Sequence, residues 1–367
     1  MQHTNLYYTL ALLQVEGIGD IVAKKLISHC GSAQSVFETT KTKLKSIDGI
    51  GEILLRKLKD KSVFDKAQQE LDYIEKENIR FSFFSDDDYP ERLKHCIDGP
   101  TVLFSSGNIQ LPQQKVISIV GTRQITSYGT EMCKKLIEDL APLNPVIVSG
   151  FAYGVDIVAH QAAMDHNLQT IGVLAHGLNQ IYPKTHKKYV AKMEQNGGFL
   201  TEFWSTSNPD RENFVRRNRI VAGMAEATIV IESADRGGSL ITATLANDYN
   251  RDVFAVPGRT TDKYSQGCNN LIKTQRAHLL TSAADLIYIL NWELENKAAK
   301  TIQKQLFVTL DEEEQKVYDF LQKNGKEEMD LIAIHCEFPI YRISSILLNM
   351  ELKGVVRPLQ GKIFEAV

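Results

Sequence analysis

The sequence predicts an α/β protein. Its centre is a doubly wound, Rossmann-like parallel sheet, preceded by a helical helix-hairpin-helix module and followed by a winged-helix domain. Three observations carry this expectation. Six short, mostly β-branched runs alternate with amphipathic helical stretches between residues 116 and 280. A Gly-Ile-Gly unit occurs twice before them, and the chain after Leu310 reads as three helical stretches and a hairpin. The expected division is 1–80 for the helical module, 81–295 for the sheet domain, 296–309 for a linker and 310–367 for the winged helix. A chain of 367 residues is long enough for two or three domains.

The first module carries an internal repeat. VEGIGDIVAKKLI begins at Val15 and IDGIGEILLRKLK at Ile47. Each copy has a Gly-Ile-Gly turn leading into an amphipathic helix with two basic residues. The glycines permit positive φ and close approach of the backbone, and the following helix start could face a phosphate. Asp20 and Glu52 occupy the position where that phosphate would dock, so a scaffold role and a DNA-backbone role both stay open.

The six runs are VISIV (116–120), PVIVS (145–149), TIGVL (170–174), GFLTE (198–202), TIVIE (228–232) and DVFAV (252–256). Runs apolar on both faces and spaced by helices mean a parallel sheet covered on both sides. The stretch YGTEMCKKLIEDLA from Tyr128 is one of the covering helices. In the tail, Thr309 and Glu312 read as a capping box for a helix ending at Gly325. MDLIAIHC follows as a short apolar stretch. A further helix starts near Pro339 with Ile340, Ile343, Leu347 and Met350 on one face and stops at Gly354. A hairpin turning at Gln360-Gly361 closes the chain.

Ligands of open parallel sheets bind beyond the carboxyl ends of the strands. The segments there are Gly121-Thr122-Arg123, Gly150 after Ser149, Ala175-His176-Gly177 leading to Tyr182-Pro183-Lys184, Arg216-Arg217-Asn218-Arg219, Arg236-Gly237-Gly238-Ser239 opening a helix with Thr242, and Pro257-Gly258-Arg259. Glycines bare N–H groups at helix starts, and Arg adds bidentate recognition of phosphate. An anion site follows. There is no Walker A spacing and no G-x-G-x-x-G, which argues against a dinucleotide enzyme. Tight βα turns alone would also explain single glycines.

No catalytic constellation is expected. Asp156 and His160, four residues apart, read as a buried hydrogen-bonded pair. Glu202 and Glu232 read as partners of nearby arginines. His176 and His186 lack a second metal ligand at sensible spacing, and the five cysteines form no C-x-x-C pair, which suits a reducing cytoplasm. No metal or cofactor is expected. The N-terminus has no signal-peptide pattern, and no apolar run reaches membrane-spanning length.

Charge sharpens the picture. The formal net charge of −3 argues against a protein coated in basic residues. It is unevenly spread: −2 over residues 1–100, +2 over 101–300 and −3 over 301–367. The positive block is the sheet domain. The acidic tail is expected to contact protein rather than DNA, since a groove-reading helix should be basic.

The central region resembles the DNA-processing protein A family, DprA or Smf, of bacterial natural transformation. The strings that carry it are VISIVGTRQITSYG (116–129), IVSGFAYGVDIVAH (147–160), TIGVLAHGLNQIYPKTH (170–186), GGFLTE (197–202), FVRRNRIVAGMA (214–225), IVIESADRGGSLITATLA (229–246), DVFAVPG (252–258) and GCNNLI (267–272). Residues 86–108 resemble the family's lead-in to the sheet. Order and spacing hold across about half the chain. The resemblance implies a non-enzymatic, cytoplasmic protein that binds single-stranded DNA, forms a homodimer, protects incoming DNA and loads the RecA recombinase. Its phosphate loop falls on Gly121-Thr122-Arg123, its basic residue after the Tyr-Pro turn on Lys184, its Arg-Asn-Arg run on Arg217-Asn218-Arg219, and its helix start on Arg236 to Leu240. Thr122 and Gly237 stand where the family has Ser, Ala175-His176 where it has a glycine-containing pair, and Asn179 where it has Asp. The expected DNA-binding set is therefore Gly121, Thr122, Arg123, Ser149, Gly150, Lys184, Arg217, Asn218, Arg219, Arg236, Gly238, Ser239 and Thr242, with Phe151, Tyr153 and Phe214 as candidate base-stacking rings. Two rival readings are a nucleotide-processing enzyme of the phosphoribohydrolase type and a protein scaffold without DNA affinity.

Overall fold

The computed structural model describes residues 2–111, 115–292, 310–359 and 363–366. They fall into two compact units, Met1–Leu294 and Glu295–Val367.

The first unit opens with six helices: α1 (Gln2–Gln14), α2 (Asp20–Cys30), α3 (Ala33–Glu38), α4 (Lys41–Lys45), α5 (Glu52–Lys57) and α6 (Ser62–Lys76). The two Gly-Ile-Gly turns do lie between helices. Gly17 and Gly49 adopt φ of 91° and 85°, which side chains resist, and Gly19 and Gly51 cap α2 and α5. The helices bury Leu6, Leu10, Leu26, Leu55 and Leu71 in one core. That core runs on into Phe83, Val102 and Phe104 of the sheet, so the module and the sheet share apolar packing.

The sheet has nine strands: β1 (Arg80–Phe83), β2 (Val102–Asn108), β3 (Val116–Val120), β4 (Val146–Ser149), β5 (Thr170–Val173), β6 (Gly197–Thr201), β7 (Ala227–Val230), β8 (Asp252–Ala255) and β9 (His278–Leu279). Their order is β1-β2-β6-β5-β4-β3-β7-β8-β9. The seven strands from β6 to β9 are parallel, which includes all six expected runs. On one edge β2 pairs antiparallel with β6, and β1 with β2. The sequence pattern missed these edge strands because β2 turns polar halfway, at Ser105-Ser106-Gly107-Asn108. Two glycines make the junction. A Cβ on Gly197 would lie 2.0 Å from the Thr170 carbonyl oxygen, and one on Gly198 2.0 Å from that of Ser106.

Both faces are covered by α7 (Glu91–Lys94), α8 (Ser127–Leu140), α9 (Val155–Asp165), α10 (Lys187–Gln195), α11 (Arg211–Met224), α12 (Gly238–Asp248), α13 (Gln266–Lys273) and α14 (Ala283–Ile289). Alternate residues of each strand feed opposite layers. Val116, Val120 and Val148 pack with Ile220 and Ala243 on one side, and Ile117, Ile119 and Ile147 with Leu136 and Ala159 on the other. No single helix among the described residues is long and apolar enough to cross a membrane.

The second unit has α15 (Glu312–Asn324), β10 (Glu327–Glu328), α16 (Met329–His335), α17 (Ile340–Leu352), β11 (Val356–Leu359) and β12 (Ile363–Ala366), with the strands in the order β10-β12-β11. This is the expected winged helix, with corrections. The capping box of α15 is Asp311 with Glu314, not Glu312, because Asp311 sits one residue before the helix. Thr309 and the Gln360-Gly361 turn lie outside the described residues. On α17, Ile343, Leu347 and Met350 are buried with Ile346, while Ile340 faces outward. MDLIAIHC is mostly helix α16.

Candidate nucleic-acid interface

The carboxyl ends of β3, β4 and β7 open into one cleft of about 1060 Å³. Gly121, Thr122 and Arg123 follow β3, Gly150 and Ala152 follow β4, and Ser233, Ala234, Arg236 to Ser239 and Thr242 follow β7 and start α12. One face of α11 closes the side with Arg211, Phe214, Arg217 and Asn218, and the loop before α13 adds Lys263 and Tyr264. Five of the lining side chains are cationic (Arg123, Arg211, Arg217, Arg236 and Lys263), against one carboxylate, Asp156. α12 begins at Gly238 after an N-cap glycine, Gly237, without a side-chain cap, so its dipole end also favours an anion.

The glycines here serve packing first. A Cβ on Gly121 would meet the Val155 side chain at 2.4 Å, and one on Gly150 the Arg217 guanidinium at 2.4 Å. Gly154, at φ 77°, lies against the Thr122 carbonyl oxygen. These contacts draw the β3 and β4 exits together and set the cleft floor.

Arg217 is a strut as much as a ligand. It is buried, donates to the Gly150 carbonyl oxygen at 2.7 Å and to that of Val173, and reaches Asn218 Oδ1 at 3.3 Å. Burial pulls its pKa down to about 10, opposed by the Asp156 charge. Burial likewise raises Asp156, which accepts from the Ala152 amide at 3.2 Å. Arg123, Arg211, Arg236 and Lys263 differ. They are exposed and hold no ion pair among the described residues. The Phe214 ring has the Arg123 guanidinium 5.2 Å from its centroid and that of Arg217 at 6.0 Å.

Of the thirteen expected residues, ten line this cleft and three do not. Ser149 is fully buried, and its hydroxyl donates to the Ile119 carbonyl oxygen at 2.6 Å, tying β4 to β3. Lys184 is exposed but outside the cleft. Arg219 faces the other way. Helical geometry separates positions 217 and 219 by about 200°, so the Arg-Asn-Arg run splits across α11. Arg219 meets Asp20 at 3.1 Å, Glu202 at 2.6 Å and the Asp98 carbonyl oxygen, and Arg216 reaches the same two carboxylates at 3.3 and 2.6 Å. Asp20 also accepts from the Thr101 amide at 2.8 Å. The first Gly-Ile-Gly turn is thereby pinned to the sheet domain by its acidic residue, in place of a phosphate.

Other expectations are corrected or met. Asp156 and His160 do not pair; the His160 ring meets the Thr170 hydroxyl at 2.7 Å. That hydroxyl already donates to the Ile147 carbonyl oxygen at 3.0 Å, so His160 Nδ1 must carry the proton. Glu202 does pair with arginines. Glu232 does not: its carboxylate accepts from the Thr126 amide at 2.9 Å and hydroxyl at 2.5 Å. Phe151 is fully buried and cannot stack a base. Arg211 and Lys263 were missed. Arg211 shares the period of Phe214 and Asn218 on α11, a signal the sequence contained. Lys263 arrives through a tertiary contact, the Ser233 amide donating to the Tyr264 carbonyl oxygen at 2.7 Å, and had none.

The family described as DNA recombination-mediator protein A matches residues 80–291, more than half of the chain. The chain belongs to that family. The DprA winged helix domain matches residues 304–362. Protein Smf of Synechocystis sp. is 33% identical to this DprA-family chain over 279 residues, 74% of this chain and 69% of its own length. The DNA processing protein DprA of Streptococcus pneumoniae is 38% identical over 217 residues, 59% and 76% of the two chains. The X-ray structure of the pneumococcal DprA aligns with a TM-score of 0.64 at 30% identity, covering 77% of this chain and 97% of that one. A Helicobacter pylori DprA structure, described for its single-stranded DNA binding mode, aligns with a TM-score of 0.52 at 29% identity, covering 58% and 96%.

Proposed function

We propose that this DprA-family chain binds single-stranded DNA in the cleft and acts as a non-enzymatic recombination mediator. It protects incoming DNA in natural transformation and passes it to the RecA recombinase, working as a homodimer in the cytoplasm. The functional division follows residues 1–80, 81–295 and 310–367, joined by the linker 296–309.

The observation that carries the reading is the cleft's charge. Four exposed cations without ion pairs among the described residues, the buried Arg217 and an uncapped helix start converge on one opening, with a single buried carboxylate opposite. A single strand needs such a groove for its phosphates and a ring for its bases. Phe214, half-buried at the cleft wall with Arg123 against it, offers that ring. Gly121, Thr122, Arg123, Gly150, Arg217, Asn218, Arg236, Gly238, Ser239 and Thr242 form the binding set, and Arg211 and Lys263 join it. The Helicobacter relative's description as a single-strand binder supports the same ligand. The phosphoribohydrolase reading is weakened because Glu232, the carboxylate it would use, is held by Thr126.

Fluorescence anisotropy with oligothymidylate tests this. Arg123→Ala and Arg236→Ala should each weaken binding roughly tenfold, since a hydrogen bond to a charged group is worth about 1.5–3 kcal/mol. Wild-type affinity in both variants would move the site elsewhere. No binding by the wild type at low salt would favour a scaffold. Release of free base from nucleoside monophosphates, abolished by Glu232→Gln, would favour the enzyme.

A further inference from the structure

A second surface begins where the cleft ends. Phe214 touches the cleft on one side and Tyr182 on the other, with ring centroids 5.7 Å apart. Tyr182 is 41% exposed. Beyond it the chain runs Pro183-Lys184-Thr185-His186-Lys187-Lys188. Thr185 donates its hydroxyl proton to the Tyr153 hydroxyl at 3.3 Å, and the His186 ring packs edge-on to Tyr153 at 5.0 Å. Tyr153 is itself 45% exposed. His186 is the buried anchor of this group, with its Nδ1 against the Phe151 carbonyl oxygen at 3.1 Å. One exposed ring thus lies in the segment 182–188 and a second packs against it, with Lys184, Lys187 and Lys188 in the same segment.

All three lysines are exposed, and none forms an ion pair among the described residues. No acidic residue lies between Tyr182 and Lys192. Lys192, one turn further along α10, is by contrast paired with Asp165 at 3.1 Å. Exposed aromatics interleaved with uncompensated cations are the physical requirement for holding a single strand without reading its sequence.

We propose that the strand leaving the cleft passes over Phe214 onto an exit platform, where Tyr182 and Tyr153 stack successive bases and Lys184, Lys187 and Lys188 hold the phosphates. The proposal rests on the cleft being a single-strand site and lengthens that site by about three nucleotides, two of them stacked. It gives Lys184 a role outside the cleft and assigns roles to Tyr182, Lys187 and Lys188. The platform tolerates any base because stacking uses the ring faces. Duplex DNA, with its bases already stacked, gains only the lysine contacts.

The test compares two oligothymidylates in full-length protein, one just long enough to fill the cleft and one several nucleotides longer. For the long oligomer, Tyr182→Ala and Tyr153→Ala should each lose roughly tenfold in affinity, within the range for one stacked base. Tyr182→Phe and Tyr153→Phe should bind as the wild type does, because the ring and not the hydroxyl does the stacking. For the short oligomer all four variants should bind normally. Replacing the three lysines by Ala should flatten the log–log salt dependence for the long oligomer by about 2, at roughly 0.7 per phosphate. Unchanged long-oligomer affinity in both Tyr→Ala variants would overturn the platform while Arg123→Ala still weakens binding. If Arg123→Ala has no effect on either oligomer, the cleft reading itself fails. An equal loss on short and long oligomers in Tyr182→Ala would mean that Tyr182 only supports Phe214, which also overturns the platform.

Discussion

Arg219 separates the geometry of this protein from the pattern of its sequence. As part of an Arg-Asn-Arg run it reads as a phosphate ligand. In the structure it is buried, with Asp20 and Glu202 on its guanidinium and the Asp98 carbonyl oxygen on its remaining donors. Arg219→Ala should therefore destabilise the fold and leave DNA binding alone. Removing one partner of a buried ion pair costs about 3–5 kcal/mol, because a charge is left in low dielectric. Arg216 remains in contact with both carboxylates, so the loss should sit near the low end, about 3 kcal/mol. Urea unfolding of the wild type and the variant measures it. The helical module should loosen first, since Asp20 ties α2 to the sheet domain, and limited proteolysis would report cleavage within residues 2–76. Under conditions where the variant is folded, its single-strand affinity should stay within about twofold of wild type. A variant with wild-type stability and a large loss of affinity would refute this reasoning and return Arg219 to the binding site.

Two further outcomes follow from the same structure. Burial holds the His160 imidazole neutral, with a pKa of about 3 against 6.5 for the free side chain. The unfolded chain thus binds more protons, and stability should fall as pH drops below about 6.5, by up to about 1.4 kcal/mol per unit. His160→Gln should flatten that acid slope in pH-dependent urea titrations, and an unchanged slope would contradict it. Removal of residues 310–367 should change single-strand affinity by less than about twofold. Arg342 on α17 is paired with Glu313 at 2.8 Å and Lys353 with Glu314, so that helix presents Tyr341 and Leu348 and little positive charge. A large loss in gel-shift titrations would show that the tail grips DNA.

Much of this was legible before folding. The parallel strands announced themselves because residues buried on both faces leave an unbroken apolar run, as VISIV does. The edge strand β2 did not, since half of it is polar and its pairing depends on Gly197 and Gly198 fitting between neighbours. The cleft was legible as glycine and arginine at successive strand exits. Its membership was not, because a run of adjacent residues on a helix points in several directions. Arg217 turns in, Arg219 turns away, and Arg211, six residues before Arg217, joins the cleft. Likewise Glu232 stands near several arginines in sequence, yet Thr126 reaches it first through the packing of α8 on β7. Long-range charge pairs such as Asp20 with Arg219 carry no local signature.

The central claim is that four exposed cations around the cleft, Arg123, Arg211, Arg236 and Lys263, hold the phosphates of a single strand. The salt dependence of affinity measures this directly. For an oligothymidylate that fills only the cleft, the log–log slope should be about −3, from four phosphates at roughly −0.7 each. Arg123→Ala should reduce it in magnitude by about 0.7. A slope near zero, or one unchanged in Arg123→Ala, would contradict the account.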